Sequence, residues 1–214
     1  MLTANLTRDA LTSPQAIQRY YRWHSHVYDL TRWSFLFGRD RLLKSLPQWV
    51  QAPTSILEIG CGTGRNLKVL EQLYPRAELH GIDLCSSMLR HARRHCPRAK
   101  LTEAAFDPAG MQHDLILCSY SLSMFSGTIN DNLHRIAQAL QPGGYLAVVD
   151  FDASPRTGFA RWMALNHVRM DGRILPGLCT QFLPVDASRH SAYGGLWKYF
   201  SFVGTRATTP TTRP

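Results

Sequence analysis

No stretch of the chain runs to about 18 consecutive apolar side chains, so no membrane-spanning helix is expected. The opening residues, MLTANLTRDALTSPQ, lack a basic segment followed by an apolar one, so no secretory leader is expected either. The five cysteines, at 61, 85, 96, 118 and 179, are odd in number and include no CxxC pair. That usage predicts reduced thiols in a cytoplasmic protein and argues against a disulfide framework. Acid is in short supply, 15 residues against 24 basic ones, which leaves a formal charge of +9. Lysine is scarce within that excess, because 20 of the 24 are arginine. Arginine suits carboxylate and phosphate recognition, and net positive charge favours nucleic acid or anionic membrane, so charge alone selects no partner. No internal repeat and no second-domain boundary is visible. With 44% apolar residues in 214, the chain has the material for one ordinary globular domain and a modest extension.

What is present is alternation. From Pro14 to about Trp49 the pattern is helical, broken near Phe37 and Gly38, and rich in aromatics. SILEI then reads as a buried strand, RNLKVLEQL as a helix, AELHGIDL as a strand and SSMLRHARRH as a helix. AKLTEAA and DLILCSY read as third and fourth strands, TINDNLHRIAQAL as a helix, and YLAVVDF as a fifth strand after the punctuation QPGG. Strand–helix alternation with continuously apolar strands predicts an α/β fold, a mostly parallel sheet covered on both faces. Further on, FARWMALNHV reads as a helix, while LCTQFLPV and LWKYFSFVGT read as closing strands. The tail RATTPTTRP, 206 to 214, is of low complexity and is expected to be disordered.

The turn after the first strand, LEIGCGTGRNL, carries the chemistry. In a parallel sheet, ligands bind beyond the carboxyl ends of strands at the switch in strand order. Gly60, Gly62 and Gly64 allow a tight turn and the close approach of a nucleotide-sized ligand. Asp83 ends the second strand 19 residues beyond Gly64, where a carboxylate can accept both ribose hydroxyls. A dinucleotide would call for G-x-G-x-x-G and a helix N-terminus facing pyrophosphate. This turn is spaced two and two and carries Glu58 ahead of it, an acid suited to a cationic, phosphate-free ligand.

The pattern E-x-G-x-G-x-G resembles motif I of class I S-adenosylmethionine-dependent methyltransferases. That resemblance implies a Rossmann-like, seven-stranded, mostly parallel sheet, an N-terminal helical cap over residues 1 to 50, and a methyltransferase domain over 51 to 205. It assigns Glu58, Gly60, Cys61, Gly62, Gly64 and Asn66 to the cofactor at the glycine turn, with Asp83 on the ribose. GIDLCSSML and TEAAFD are similar to the adenine-contacting segments, which implies Leu84, Met88, Ala105 and Phe106, with Asp107 beside them. CSYSLSMF stands where the family's methyl donor meets the acceptor and implies Ser119 and Met124; Tyr28, from the cap, completes the cofactor set.

For the acceptor, an Asp/Asn-Pro-Pro-aromatic loop would mark nucleobase amines. The corresponding place reads SYSL, so no nucleic acid is expected. YYRWHSHVYDLTRWSFLFGRDRL, SYSLSMF and VVDFD followed by NHV resemble betaine-lipid methyltransferases, which N-methylate the homoserine headgroup of a diacylglyceryl lipid. Asn166 and RMDGR depart from that pattern after the fifth strand. The resemblance implies a lipid-amine acceptor and peripheral contact between the cap and an anionic membrane. It places Tyr20, Tyr21, Tyr120 and His167 at the methyl transfer, with His24 and His26 as further proton acceptors and Arg39, Arg169 or Arg173 as a carboxylate clamp. A methyltransferase of a soluble small molecule or quinone, and a non-catalytic S-adenosylmethionine-binding protein, remain as alternatives. His91, His95 and Cys96 imitate metal spacing, but the arginines between them repel a cation, and no metal is expected.

Overall fold

The computed structural model describes residues 36–206; the expected cap as far as Phe35, including its helical pattern from Pro14, and the tail from Ala207 lie outside them. Strands β1 (Ser55–Ile59), β2 (Glu78–Asp83), β3 (Lys100–Glu103), β4 (His113–Ser119), β5 (Leu140–Phe151), β6 (Leu183–Ala192) and β7 (Trp197–Thr205) form one sheet, ordered β3-β2-β1-β4-β5-β7-β6. The first five run parallel, and β7 inserts antiparallel between β5 and β6. Strand order reverses between β1 and β4, so the carboxyl ends of these two strands open a crevice.

Alternation along the strands feeds two cores. Ile56, Leu115, Leu117 and Ala147 face one side, where α1 (Arg39–Ser45), α2 (Arg65–Leu73), α3 (Ser86–His95) and α5 (Thr157–Leu165) bring Leu42, Leu67, Leu89 and Met163. Leu57, Ile116, Cys118 and Val148 face the other, beneath Leu133 and Ile136 of α4 (Ile129–Gln138) and Leu178 of α6 (Ile174–Gln181). Burial on both faces is why these strands read as unbroken apolar runs. Asp114 fixes the entrance to β1 by accepting the N–H groups of Thr54 and Ser55 and the Thr54 hydroxyl.

Two expectations are corrected. LCTQF is not the start of a strand: Leu178–Gln181 close helix α6, and only from Leu183 does the chain extend. Ile174, Leu175 and Leu178 are buried at helical spacing against the sheet, while Pro176 sits in the first turn, where its missing N–H costs nothing. QPGG also does more than punctuate. Strand β5 begins at Leu140, opposite His113, and the register then slips so that Leu115 pairs with Tyr145. Gly144 accommodates the slip, since a Cβ there would stand 2.9 Å from the Gln141 carbonyl oxygen.

Candidate active site

The glycine turn lies in the crevice between β1 and β4. Gly60, Gly62 and Gly64 all have positive φ, 77°, 54° and 80°. At Gly60 crowding adds a second reason, because a Cβ would fall 2.7 Å from Ser121 Cβ. The turn is held from below by the Ile82 carbonyl, which accepts N–H groups of Gly60 and Cys61. Asp83 holds it from the side. Its Oδ2 accepts the Gly62 N–H at 2.7 Å and its Oδ1 accepts the Cys85 N–H at 2.9 Å. Asp83 therefore shapes the turn from the edge of the crevice.

Glu58 is 1% exposed and accepts a 2.7 Å hydrogen bond from Asn66 Nδ2, the second residue of α2. A carboxylate that deep requires compensation, and Asn66 supplies part of it. Cys61 lies among these acids: burial first, then Glu58 and Asp83, push its thiol far above the ordinary range, so it stays protonated. Ser119 ends β4 with its hydroxyl buried and without a hydrogen-bond partner among the described residues. It lines the same recess as Glu58, Gly62 and Asn66, with Arg39 and Arg65 at the rim. A buried hydroxyl and a buried acid in one recess fit the amino-acid end of the expected cofactor.

On the other side of Gly60 the crevice is mostly apolar. Ile82, Leu84, Met88, Ala105 and Phe106 form its walls, with Asp83 on the edge. Leu84, Met88, Ala105 and Phe106 thus stand together as the sequence implies, and Met124 and Tyr120 close the far end. Sequence reading missed Arg135. From α4 its Nη2 donates to the Phe106 carbonyl, and its guanidinium carbon lies 5.6 Å from the Phe106 ring centroid. The partner is 29 residues away in sequence, so no local pattern marks it.

The expected transfer residues are more dispersed. Tyr20, Tyr21, Tyr28, His24 and His26 lie outside the described residues. Tyr120 lines the crevice at φ 55°, but its hydroxyl donates to the Phe37 carbonyl at 2.8 Å, and burial followed by Asp150 raises its pKa well above the ordinary phenol range. That phenol is a poor proton acceptor. His167, at φ 61°, lines neither side of the crevice. Arg169 donates to the Gly127 carbonyl and Arg173 is largely exposed. His91 and His95 are exposed on α3 at the rim of the Glu58 recess, and Cys96 turns inward to donate to the Gly64 carbonyl.

Residues 56–144, which contain every described crevice wall except Leu36 and Arg39, match the family model described as "Methyltransferase domain". Residues 56–144 carry a methyltransferase domain. The bifunctional biotin-biosynthesis protein BioCD of Bordetella avium is 31% identical over 173 residues, 74% of this chain and 36% of that protein. A trans-aconitate 2-methyltransferase of Paracidovorax citrulli is 33% identical over 111 residues, 50% of this chain and 42% of that enzyme. The chain therefore spans less than half the length of the curated relatives it matches. Among solved structures, the N-methyltransferase NodS of Bradyrhizobium japonicum with bound S-adenosylhomocysteine superposes with TM-score 0.63 at 19% identity, covering 79% of this chain and 87% of that one. At that identity the likeness is one of fold. The matched methyltransferase domain holds nearly all of β1, then β2, β3, β4, the start of β5 and the glycine turn.

Proposed function

We propose that this chain methylates a carboxylate-bearing small molecule, using S-adenosylmethionine. The observation that carries the reading is the crevice itself, with an apolar base-sized wall, Asp83 at its edge and buried Glu58 beside the glycine turn. When bound, the cofactor supplies an electrophilic methyl group on a sulfonium. Leu84, Met88 and Phe106 enclose the base, Asp83 accepts the ribose hydroxyls, and Ser119 receives the amino-acid end. Glu58, steadied by Asn66, offsets positive charge.

Methyl transfer needs a lone pair on the acceptor. A carboxylate already has one at neutral pH, whereas an ammonium must first lose its proton. At the Tyr120 end of the described crevice no proton acceptor stands ready, since Tyr120 is bonded to Phe37, Asp150 is enclosed beneath the N–H groups of Ser123 and Phe151, and His91 and His95 stand at the rim of the Glu58 recess instead. An anionic acceptor is favoured because the trans-aconitate 2-methyltransferase relative acts on an acid of that kind. Positioning can then supply much of the rate, on the order of 7–11 kcal/mol at best. The lipid-headgroup amine is the second reading, supported by the resemblance of the N-terminal block.

The test is a panel assay with methyl-labelled cofactor and acceptors including trans-aconitate, other di- and tricarboxylates, small amines, quinols and diacylglyceryl-homoserine. Label in a base-labile ester supports the carboxylate reading. Label on the aminolipid alone replaces it with the second reading. Tight cofactor binding without any transfer points to a binding protein.

A further inference from the structure

Helix α5 turns two large apolar side chains, Trp162 and Leu165, outward. Gly158, Arg161, Trp162 and Leu165 stand at positions i, i+3, i+4 and i+7, one face of a helix, and all four are exposed. Trp162 is 51% and Leu165 78% exposed. The inner face is also apolar, with Met163 buried and Phe159 stacked on Trp197 at 5.5 Å and 15°. A helix that only covered a core would place polar residues outside. Tyr193, itself 57% exposed, widens the patch, packing 4.8 Å from Trp197 and 5.3 Å from Phe37.

The exposed charges on α5 and its lead-in are of one sign, while Arg169 further on pairs with Asp171. Residues 153–170 contain Arg156, Arg161 and Arg169 and no aspartate or glutamate. Arg156 and Arg161 are exposed and form no ion pair among the described residues.

We propose that the outer face of α5 docks on the surface of an anionic lipid bilayer. Tryptophan and tyrosine settle at the headgroup level, leucine enters the acyl boundary, and arginine pairs with lipid phosphate. A second copy is the poorer occupant, because a symmetric contact would set Arg156 and Arg161 against their own counterparts. The location suits such docking. Trp162 touches Phe159, Phe159 stacks on Trp197, and Trp197 lies 6.1 Å from Phe37, whose carbonyl accepts the Tyr120 hydroxyl at the crevice wall. A run of aromatic contacts therefore links the outer face of α5 to the crevice wall. The proposal is independent of which acceptor is methylated.

Co-sedimentation of the full chain with vesicles tests it. Vesicles of phosphatidylcholine with an equal part of phosphatidylglycerol should pellet the protein, and phosphatidylcholine alone should retain little. Trp162→Ser with Leu165→Ser, and separately Arg156→Gln with Arg161→Gln, should each weaken partitioning by about tenfold. Thermal melting should not change, since all four side chains are exposed. Failure of the wild type to bind anionic vesicles overturns the proposal. So does wild-type affinity in both double variants, which places any contact elsewhere. A dimer in solution that the Trp162/Leu165 variant abolishes, with no vesicle binding, assigns the face to self-association instead.

Discussion

Asp83 serves two purposes with one carboxylate. Its oxygens already receive the N–H groups of Gly62 and Cys85, so the residue presumed to hold a ribose also braces the turn that the ligand lies against. Asp83→Ala should weaken S-adenosylhomocysteine binding by about 1.5–3 kcal/mol, measured by calorimetry, because a charged acceptor is lost. The melting temperature should fall as well, since two backbone donors lose their partner. Asp83→Asn keeps one acceptor oxygen and should fall between. Unchanged affinity in the alanine variant would remove the ribose assignment while leaving the bracing role intact. Asp83 was legible in the sequence because its function depends on position at a strand end, a local property. Its bond to Gly62 was not, because that bond crosses between two strands.

Two elements far apart in the chain meet at Arg135. Helix α4 packs on one face of the sheet through Leu133 and Ile136, and this places Arg135 under the connection after β3. The guanidinium holds Phe106 by its carbonyl and lies against its ring, so the base-facing wall is fixed from α4. Arg135→Ala should raise the cofactor dissociation constant about tenfold, the loss of one charged hydrogen bond, and leave kcat at saturating cofactor unchanged. Arg135→Lys should recover only part, because an ammonium lacks the planar fork. A fall in kcat with unaltered affinity would contradict a positioning role. The same scale shows where periodicity misled. LCTQFLPV is apolar enough for a strand, but its first half completes a helix whose buried side is defined by Ile174 and Leu175, upstream of the segment. Short apolar runs carry too few turns to separate the two periods.

Across the whole molecule, two buried groups oppose one another in their pH response. His113, at the start of β4, bonds to Ser55 through Nδ1 at 2.6 Å and faces the His80 ring at 5.1 Å. Burial, and then His80, lower its pKa from 6.5 to about 4. Below pH 6.5 the unfolded chain takes up a proton that the folded one refuses, so stability is lost as pH falls toward 4. Asp150 acts in reverse. Burial raises it from 3.8 to about 6, despite the N–H groups of Ser123 and Phe151 that favour its charge. Its contribution is full below pH 3.8 and is lost as pH rises through 6. Each amounts to about 3 kcal/mol, so the slopes nearly cancel between pH 4 and 6. Asp150→Asn should unmask the histidine, and urea midpoints should rise much more steeply from pH 4 to 6.5 than in the wild type. Parallel profiles for the two proteins would refute the pairing.

The sequence by itself determined the alternation, and with it the parallel sheet, because strands buried on both faces must be continuously apolar. It also determined the glycine turn and Asp83, because a ligand loop at a strand end depends on neighbours a few residues away. Only the tertiary structure decided which distant groups complete the site. Arg135 reaches Phe106, Tyr120 is bound to Phe37 rather than left as a base, and Ser119 is buried beside Glu58. It alone shows that Trp162 and Leu165 face outward, since both sides of α5 are apolar and the pattern does not say which one meets the sheet. Backbone form follows from local chemistry, whereas the company a side chain keeps depends on how the layers close around it.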